Sequence, residues 1–340
     1  MRALVYDGPR ALRLAEVQEP RPATGEALVQ VRYAGICGSD MHIYHGVHPR
    51  AKAPLIMGHE FAGSIVAVNG PGRGFAIGDK VVVEPLLYCG ECPACRSGAY
   101  HVCARLGLTG IDRDGGFAEY VTVPIKALHR LPDGMPFQDG ALVEPTAVAV
   151  HSVRMSRLKL GDMVAVLGAG PIGTLVAEAC RAAGAGEVHV VDVNRGRIER
   201  ARQRGFTVHN PNEGSIVEAI AEATAGKGAD IVFDAAGAQS TAEIATKLVK
   251  IRGQIVVVAV FNALPKVNYR DVNFHELDVI GVRVYNYEDY AIAIRMVADK
   301  RIPVQGLATH VMSLEQAEQG FAAMEQGEGL KVLFRIGDQD

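Results

Sequence analysis

Met163-Val-Ala-Val-Leu-Gly-Ala-Gly-Pro-Ile-Gly173 is the stretch from which the fold is read. Five apolar residues make a short buried strand. Gly168, Gly170 and Gly173 then fall in G-x-G-x-x-G spacing. The first glycine permits a tight turn, the second lets backbone approach a pyrophosphate, and the third lets strand and helix pack closely. Pro171 and Ile172 open the following helix, whose free N–H groups and positive dipole end face the phosphates. Asp192 lies nineteen residues beyond Gly173, where a carboxylate accepts both ribose hydroxyls and repels a 2′-phosphate. That pattern favours NAD over NADP, although Arg195 and Arg197 follow closely and blur the choice. A plain Gly-rich turn is the alternative reading.

Outward from this turn, short strands alternate with helices. Strands are expected at 163–167, 188–192, 207–209, 230–233, 255–260 and 279–282, with amphipathic helices at 172–183 and 195–204 between them. This alternation predicts an α/β, Rossmann-type, doubly wound parallel sheet. The arginine run from Arg195 to Arg204 reads as the solvated face of an ordinary helix. Before residue 145 the pattern is β-rich, with β-branched runs at 28–33, 63–68, 78–84 and 115–123. The tail carries a strand, a helix at 314–326 and a last strand at 331–334, and is expected to return to the first domain. The expected division is therefore 1–147 with 296–340, and 148–295.

The chain has 340 residues and a formal net charge of −3. Apolar residues are 49% and charged residues 21%, which excludes collagen, coiled coil and long disorder. The balanced charge offers no field for nucleic acid or an anionic membrane. The first nine residues lack the apolar run of a signal peptide, and no window reaches about 18 uninterrupted apolar residues. A cytoplasmic protein is expected.

Four of the six cysteines, Cys89, Cys92, Cys95 and Cys103, form C-x2-C-x2-C-x7-C. Four thiolates close a tetrahedral shell around zinc with no open position, so the site is structural. An iron–sulfur cluster is the rival. A nucleic-acid-binding finger would need a basic stripe, and only Arg96 and Arg105 are near. Cys180 reads as packing. Cys37 stands in Gly35-Ile-Cys-Gly-Ser-Asp-Met-His42, and His59-Glu60 in Met57-Gly-His-Glu-Phe-Ala-Gly63. Thiolate, imidazole and carboxylate together suit a catalytic zinc with one exchangeable position.

With these motifs, and with Val143-Glu-Pro, the chain resembles the zinc-dependent medium-chain dehydrogenases, in the sorbitol, butanediol and threonine dehydrogenase branch. The resemblance implies a GroES-like catalytic domain beside the Rossmann domain, two zinc ions per chain, NAD, and a homodimer or homotetramer joined at a sheet edge. It implies that Cys37 and His59 ligate the catalytic zinc and that Glu60 and Glu144 stand near it, with the direct ligand left open. Ser39 would bond the substrate oxygen and His42 would pass the proton onward. Residue by residue, plainer roles exist: Ser39 can cap a helix starting at Asp40, and Glu144 can serve as an N-terminal helix acid.

The implied reaction is reversible oxidation of a secondary hydroxyl to a ketone. Glu144-Pro-Thr-Ala-Val departs from the threonine enzymes. Tyr44, His45, His48, Arg50 and Lys52 follow the His42 motif and point to a polyhydroxylated substrate, with Arg50 or Arg283 meeting a sugar-acid carboxylate. A solvated loop is the plain reading of the same segment. Butanediol or threonine dehydrogenase is the alternative enzyme, and a catalytically silent nucleotide-binding protein the alternative outside enzymes. Asn69, where the family usually has Gly or Ala, tolerates a positive φ, so the turn there can form.

Overall fold

In the computed structural model, which describes residues 1–337, every residue of the strand Met163–Leu167 is buried. Its continuous apolar run follows from its place inside a parallel sheet, where both faces are covered. The sheet has six strands in the order Thr207–His209, Glu187–Val191, Met163–Leu167, Ala229–Asp234, Val249–Val257 and Asp278–Gly281, all parallel. Ala165, Leu167, Val232 and Ile255 of the strands pack with Ile216, Ile220, Ala245 and Leu248 of the helices Ile216–Ala223 and Gln239–Leu248. Each valine, leucine or isoleucine among these side chains contributes about 1.5–3 kcal/mol by leaving water.

Two details of this unit differ from expectation. The strand expected at 255–260 begins earlier and stops at Val257. The N–H groups of Val258 and Ala259 turn back to the carbonyl of Asp234 at 2.9 and 3.0 Å, so the chain leaves the ladder there. The arginine run is not solvated throughout. Arg204 turns inward and pairs with the buried Glu178 at 3.0 Å, while also donating to the carbonyl of Pro303. Glu178 is 1% exposed, and an unpaired carboxylate there would be costly. Cys180 is fully buried and its burial pushes the thiol pKa up, in keeping with packing.

The other unit is built on a seven-stranded sheet. Its order is Leu128–Arg130, Lys80–Val83, Glu60–Asn69, Glu26–Gly35, Lys331–Arg335 and Ala308–Met312, with Tyr120–Pro124 also paired to Glu26–Gly35. The register places Gly35 opposite Glu60 and beside Leu333. A side chain at Gly35 would overlap the Glu60 carboxylate, so glycine there makes room for that acid. At the far end of the same pairing Asn69 stays extended against Glu26. The positive φ falls on Gly70, at 107°. The turn expected at Asn69 is therefore carried by its neighbour, and Asn69 instead donates to the carbonyl of Pro22.

The chain divides into Met1–Glu144, Asn286–Lys300 and Val304–Asp340 in one unit, and Pro145–Tyr285 with Arg301–Pro303 in the other. The return to the first unit comes at Asn286, earlier than the 296 expected. The cause is the helix Tyr287–Ala298. Asn286 and Asp289 cap it reciprocally at 3.0 and 2.9 Å, and Tyr290 donates to the Val83 carbonyl at 2.8 Å. Tyr290 also stacks on His129. The tail helix expected at 314–326 is a 3-10 turn, Leu314–Gln316, followed by an α-helix, Ala317–Glu325. No helix among the described residues is long and apolar enough to cross a membrane.

Candidate active site and metal centres

Cys37 ends the loop after the strand Glu26–Gly35 and is the N-cap of the short helix Gly38–Tyr44. Its backbone N–H donates to Asp40 Oδ2 at 2.8 Å. Asp40, not Ser39, therefore caps this helix. Ser39 is left free to face the site, with Oγ 3.5 Å from His59 Nε2. His42 lies on the last turn of the same helix and is half-buried.

His59 and Glu60 lie where the chain enters the next strand and are 3% and 1% exposed. One ligand atom from each of Cys37, His59 and Glu60 lies within 4.8 Å of the others. Glu144, in the first turn of the helix Val143–Met155, is buried and acts on His59 and Lys331 through its charge. It is not within that cluster. Of the two carboxylates, Glu60 is the one inside this cluster.

The electrostatics ask for a cation. Burial alone would lower the His59 pKa, but Asp40 and Cys37 outweigh it and raise it well above its usual value. His59 Nδ1 and Asp40 Oδ1 are buried without hydrogen-bond partners, 3.8 Å apart. A carboxylate behind a histidine is the arrangement that orients an imidazole toward a metal. Thiolate, imidazole and carboxylate, converging in a buried and negatively charged place, fit zinc.

Two contributors were not found in the sequence. Asp40 stood in plain view in Gly38-Ser-Asp but was read only as a helix start. Lys331 is 3% exposed and donates to Glu60 Oε1 at 2.6 Å and to the Ile36 carbonyl at 3.1 Å. Its burial disfavours the charge, yet Glu60 and Cys37 hold its pKa above the usual value. A lysine inside Leu330-Lys-Val-Leu-Phe was the available signal.

The four-cysteine lobe stands apart in chemistry. Its sulfurs also lie within 4.8 Å of one another, and none of the six cysteines is in a disulfide. Backbone N–H groups of Cys89, Cys92 and Arg105 donate to sulfurs at 3.3–3.4 Å. The Cys92 N–H leads in lowering the Cys89 pKa to about 6, whereas burial pushes Cys95 up to about 12. Four crowded sulfurs cannot all ionise unless a cation joins them, which suits a closed zinc shell.

The dinucleotide cradle is formed within the second unit. Gly168 has φ 101°, and a Cβ on Gly173 would overlap the Gly168 carbonyl. Gly170 is the N-cap of the helix Pro171–Ala182, with Pro171 at its first position and Ile172 next. Asp192 Oδ2 accepts from Ala169 N–H at 2.7 Å, and Oδ1 from Asn194 N–H at 2.8 Å. Arg197 Nη1 lies 3.9 Å from the same carboxylate. Polar residues that follow His42 are engaged within the chain. Arg50 is held by Asp112 through two hydrogen bonds of 3.0 and 3.1 Å, Tyr44 packs on Phe321, and His45 bonds Glu325 at 2.8 Å. Arg50 is thus paired within the chain, in a partly exposed ion pair. Arg283 is exposed.

Residues 23–133 match the alcohol dehydrogenase GroES-like domain, and residues 171–299 match the zinc-binding dehydrogenase domain. The chain belongs to the zinc-dependent medium-chain dehydrogenase family. It is 39% identical to 2-dehydro-3-deoxy-L-galactonate 5-dehydrogenase of Pseudoalteromonas atlantica, with 98% of each chain covered. It is 34% identical to sorbitol dehydrogenase of Halalkalibacterium halodurans, again over 98% of each. An alcohol dehydrogenase from Escherichia coli CFT073, solved with NADH, superimposes with a TM-score of 0.92 at 30% identity over 99% of both chains. The dehydrogenase is an oxidoreductase acting on CH–OH groups, with zinc and a nicotinamide dinucleotide as its cofactors.

Proposed function

We propose that this dehydrogenase oxidises a secondary hydroxyl of a polyol or sugar acid to a ketone, reversibly, with NAD. The observation that carries the reading is the convergence of Cys37, His59 and Glu60. In this reading they hold the catalytic zinc, with Glu144 beside them, and Cys89, Cys92, Cys95 and Cys103 hold a second, structural zinc. When bound, zinc acts as a Lewis acid on the alcohol and the dinucleotide accepts the hydride.

The chain's own residues do the rest. Ser39 Oγ faces the site and hydrogen-bonds the substrate hydroxyl, relaying its proton by accepting it as the serine's own hydroxyl proton passes on. His42, one turn further along the helix, moves that proton toward solvent. Asp40 fixes the orientation of His59. Gly168, Gly170, Pro171, Ile172 and Gly173 receive the pyrophosphate, and Asp192 receives the ribose. Asp192 keeps its carboxylate beside the turn, and Arg197 spends part of its charge on that carboxylate. Both features support NAD over NADP.

The names of the relatives support a polyhydroxylated substrate. A panel of sorbitol, xylitol, aldonates, deoxy sugar acids, butanediol, threonine and primary alcohols, each with NAD and NADP, tests it. Turnover of a polyol or sugar acid with NAD is expected, and turnover of simple primary alcohols alone overturns it. Asp192→Ala should raise the KM for NAD about tenfold or more and narrow the preference over NADP.

Copies of the chain associate, in the same reading, at the edge strand Asp278–Gly281. It carries a half-exposed Val279, and the segment before it exposes Val260, Leu264 and Phe274. Such an edge and such side chains are ordinarily covered. Sedimentation of the purified enzyme distinguishes monomer, dimer and tetramer. Six unpaired cysteines support a reducing, cytoplasmic location.

A further inference from the structure

Lys331 has no task in the chemistry assigned above, yet it is placed with care. It is 3% exposed and lies against Glu60, which is 1% exposed. Its Nζ donates to Glu60 Oε1 at 2.6 Å and to the carbonyl of Ile36 at 3.1 Å. Ile36 directly precedes Cys37, so one ammonium ties together the two segments that bring up the thiolate and the carboxylate. Glu60 Oε2 touches the same ammonium but has no well-directed hydrogen bond. Space at that atom is kept open because Gly35 has no side chain.

The arrangement divides the Glu60 carboxylate between two cations. A buried carboxylate with no counter-charge would bind a metal as tightly as it could, because the metal would be its only partner. A carboxylate already neutralised by a fixed ammonium gains less from the metal. A ligand that must leave when substrate enters needs that weaker hold.

We infer that Lys331 is a positioning residue that weakens the grip of Glu60 on the catalytic metal, so that Glu60 is the exchangeable ligand. The inference rests on the reading of Cys37, His59 and Glu60 as the catalytic zinc site. It deepens that reading by naming what makes one of the three ligands labile.

The test uses the full-length enzyme loaded with zinc, and in parallel with cobalt(II) as a visible probe. The rate at which a chromogenic chelator removes the more labile metal is followed for wild type, Lys331→Met and Lys331→Arg. Lys331→Met should slow that loss about tenfold or more and alter the cobalt visible spectrum of the substrate-free enzyme. Its kcat should fall while its metal content stays full. Lys331→Arg keeps the charge and should restore the wild-type rate to within about threefold. Equal or faster metal loss in Lys331→Met, with an unchanged cobalt spectrum, overturns the inference and leaves Lys331 a role in packing alone.

Should Lys331→Met not fold, Glu60→Gln carries the test. A carboxylate already neutralised by Lys331 adds little to metal affinity, so Glu60→Gln should lose metal within about threefold of the wild-type rate. Loss more than about tenfold faster would make Glu60 a full-strength ligand and overturn the inference. Failure of the underlying site reading looks different: Cys37→Ser would then retain the full wild-type metal content.

Discussion

The two metal-competent clusters differ in how the chain builds them. The lobe from Cys89 to Cys103 is local: its four sulfurs are supplied within one loop, and backbone N–H groups of the same loop point at them. The cluster at Cys37, His59 and Glu60 is assembled by the sheet. Two neighbouring strands in register deliver the ligands, a helix delivers Asp40 and Ser39, and a third strand delivers Lys331. The local cluster offers four donors of one chemical kind and no vacancy. The assembled one offers three unlike donors, with an acid and a base behind them. Closure belongs to stability, and asymmetry belongs to chemistry.

The comparison breaks first at Cys37→Ser. Removing the thiolate should cost several kcal/mol of transition-state stabilisation, about a thousandfold or more in kcat/KM. NAD binding, followed by fluorescence, should persist. Unchanged turnover would put the chemistry elsewhere. Asp40→Asn sharpens the same side. It should weaken metal affinity about 10–100-fold by loosening the orientation of His59, measured by chelator competition. An unaltered affinity would make Asp40 a helix cap only.

On the lobe side, Cys95→Ser should lower metal content from two ions per chain toward one. It should depress Tm by on the order of 5 °C or more while leaving the low-temperature rate largely intact. A loss of activity larger than the loss of stability would mean that the lobe reaches into the chemistry. The smallest effect concerns the metal-stripped lobe. The Cys92 N–H holds the Cys89 thiol down to about 6, and burial pushes Cys95 up to about 12. Thiolate, and hence alkylation, should therefore rise at Cys89 as pH passes upward through about 6, with Cys95 lagging throughout. Peptide mass mapping after iodoacetamide reads this, and equal labelling at both positions would contradict it.

The same contrast accounts for what could be read in the sequence. A cluster confined to fifteen positions declares itself by spacing alone, as does the glycine turn at Gly168 with Asp192 behind it. The strands and the alternation with helices follow from apolar runs and their period. Cys37 and His59-Glu60 stand in two separate motifs that their chemistry groups around one metal, and what joins them in space is the pairing of Gly35 with Glu60. Lys331 is 271 residues from the acid it meets, and no local rule connects them. The early return of the chain at Asn286 was hidden for a related reason. Tyr290 is anchored by Val83 and His129, both long-range partners. Arg50 adds a case of the same kind: its partner Asp112 is 62 residues away and cannot be read from the loop that carries the arginine.

The strand Lys331–Arg335 lies inside its sheet, between Glu26–Gly35 and Ala308–Met312. A ribosome makes it after the whole of Pro145–Tyr285 has been released. The nucleotide unit, nearly continuous in sequence, can thus settle while the other sheet still has a gap in it. Until that strand is in place Glu60 lacks both its cover and its ammonium, so a dissolved metal can reach it before Lys331 does. The order of synthesis would then let metal enter before the ammonium arrives to loosen its hold.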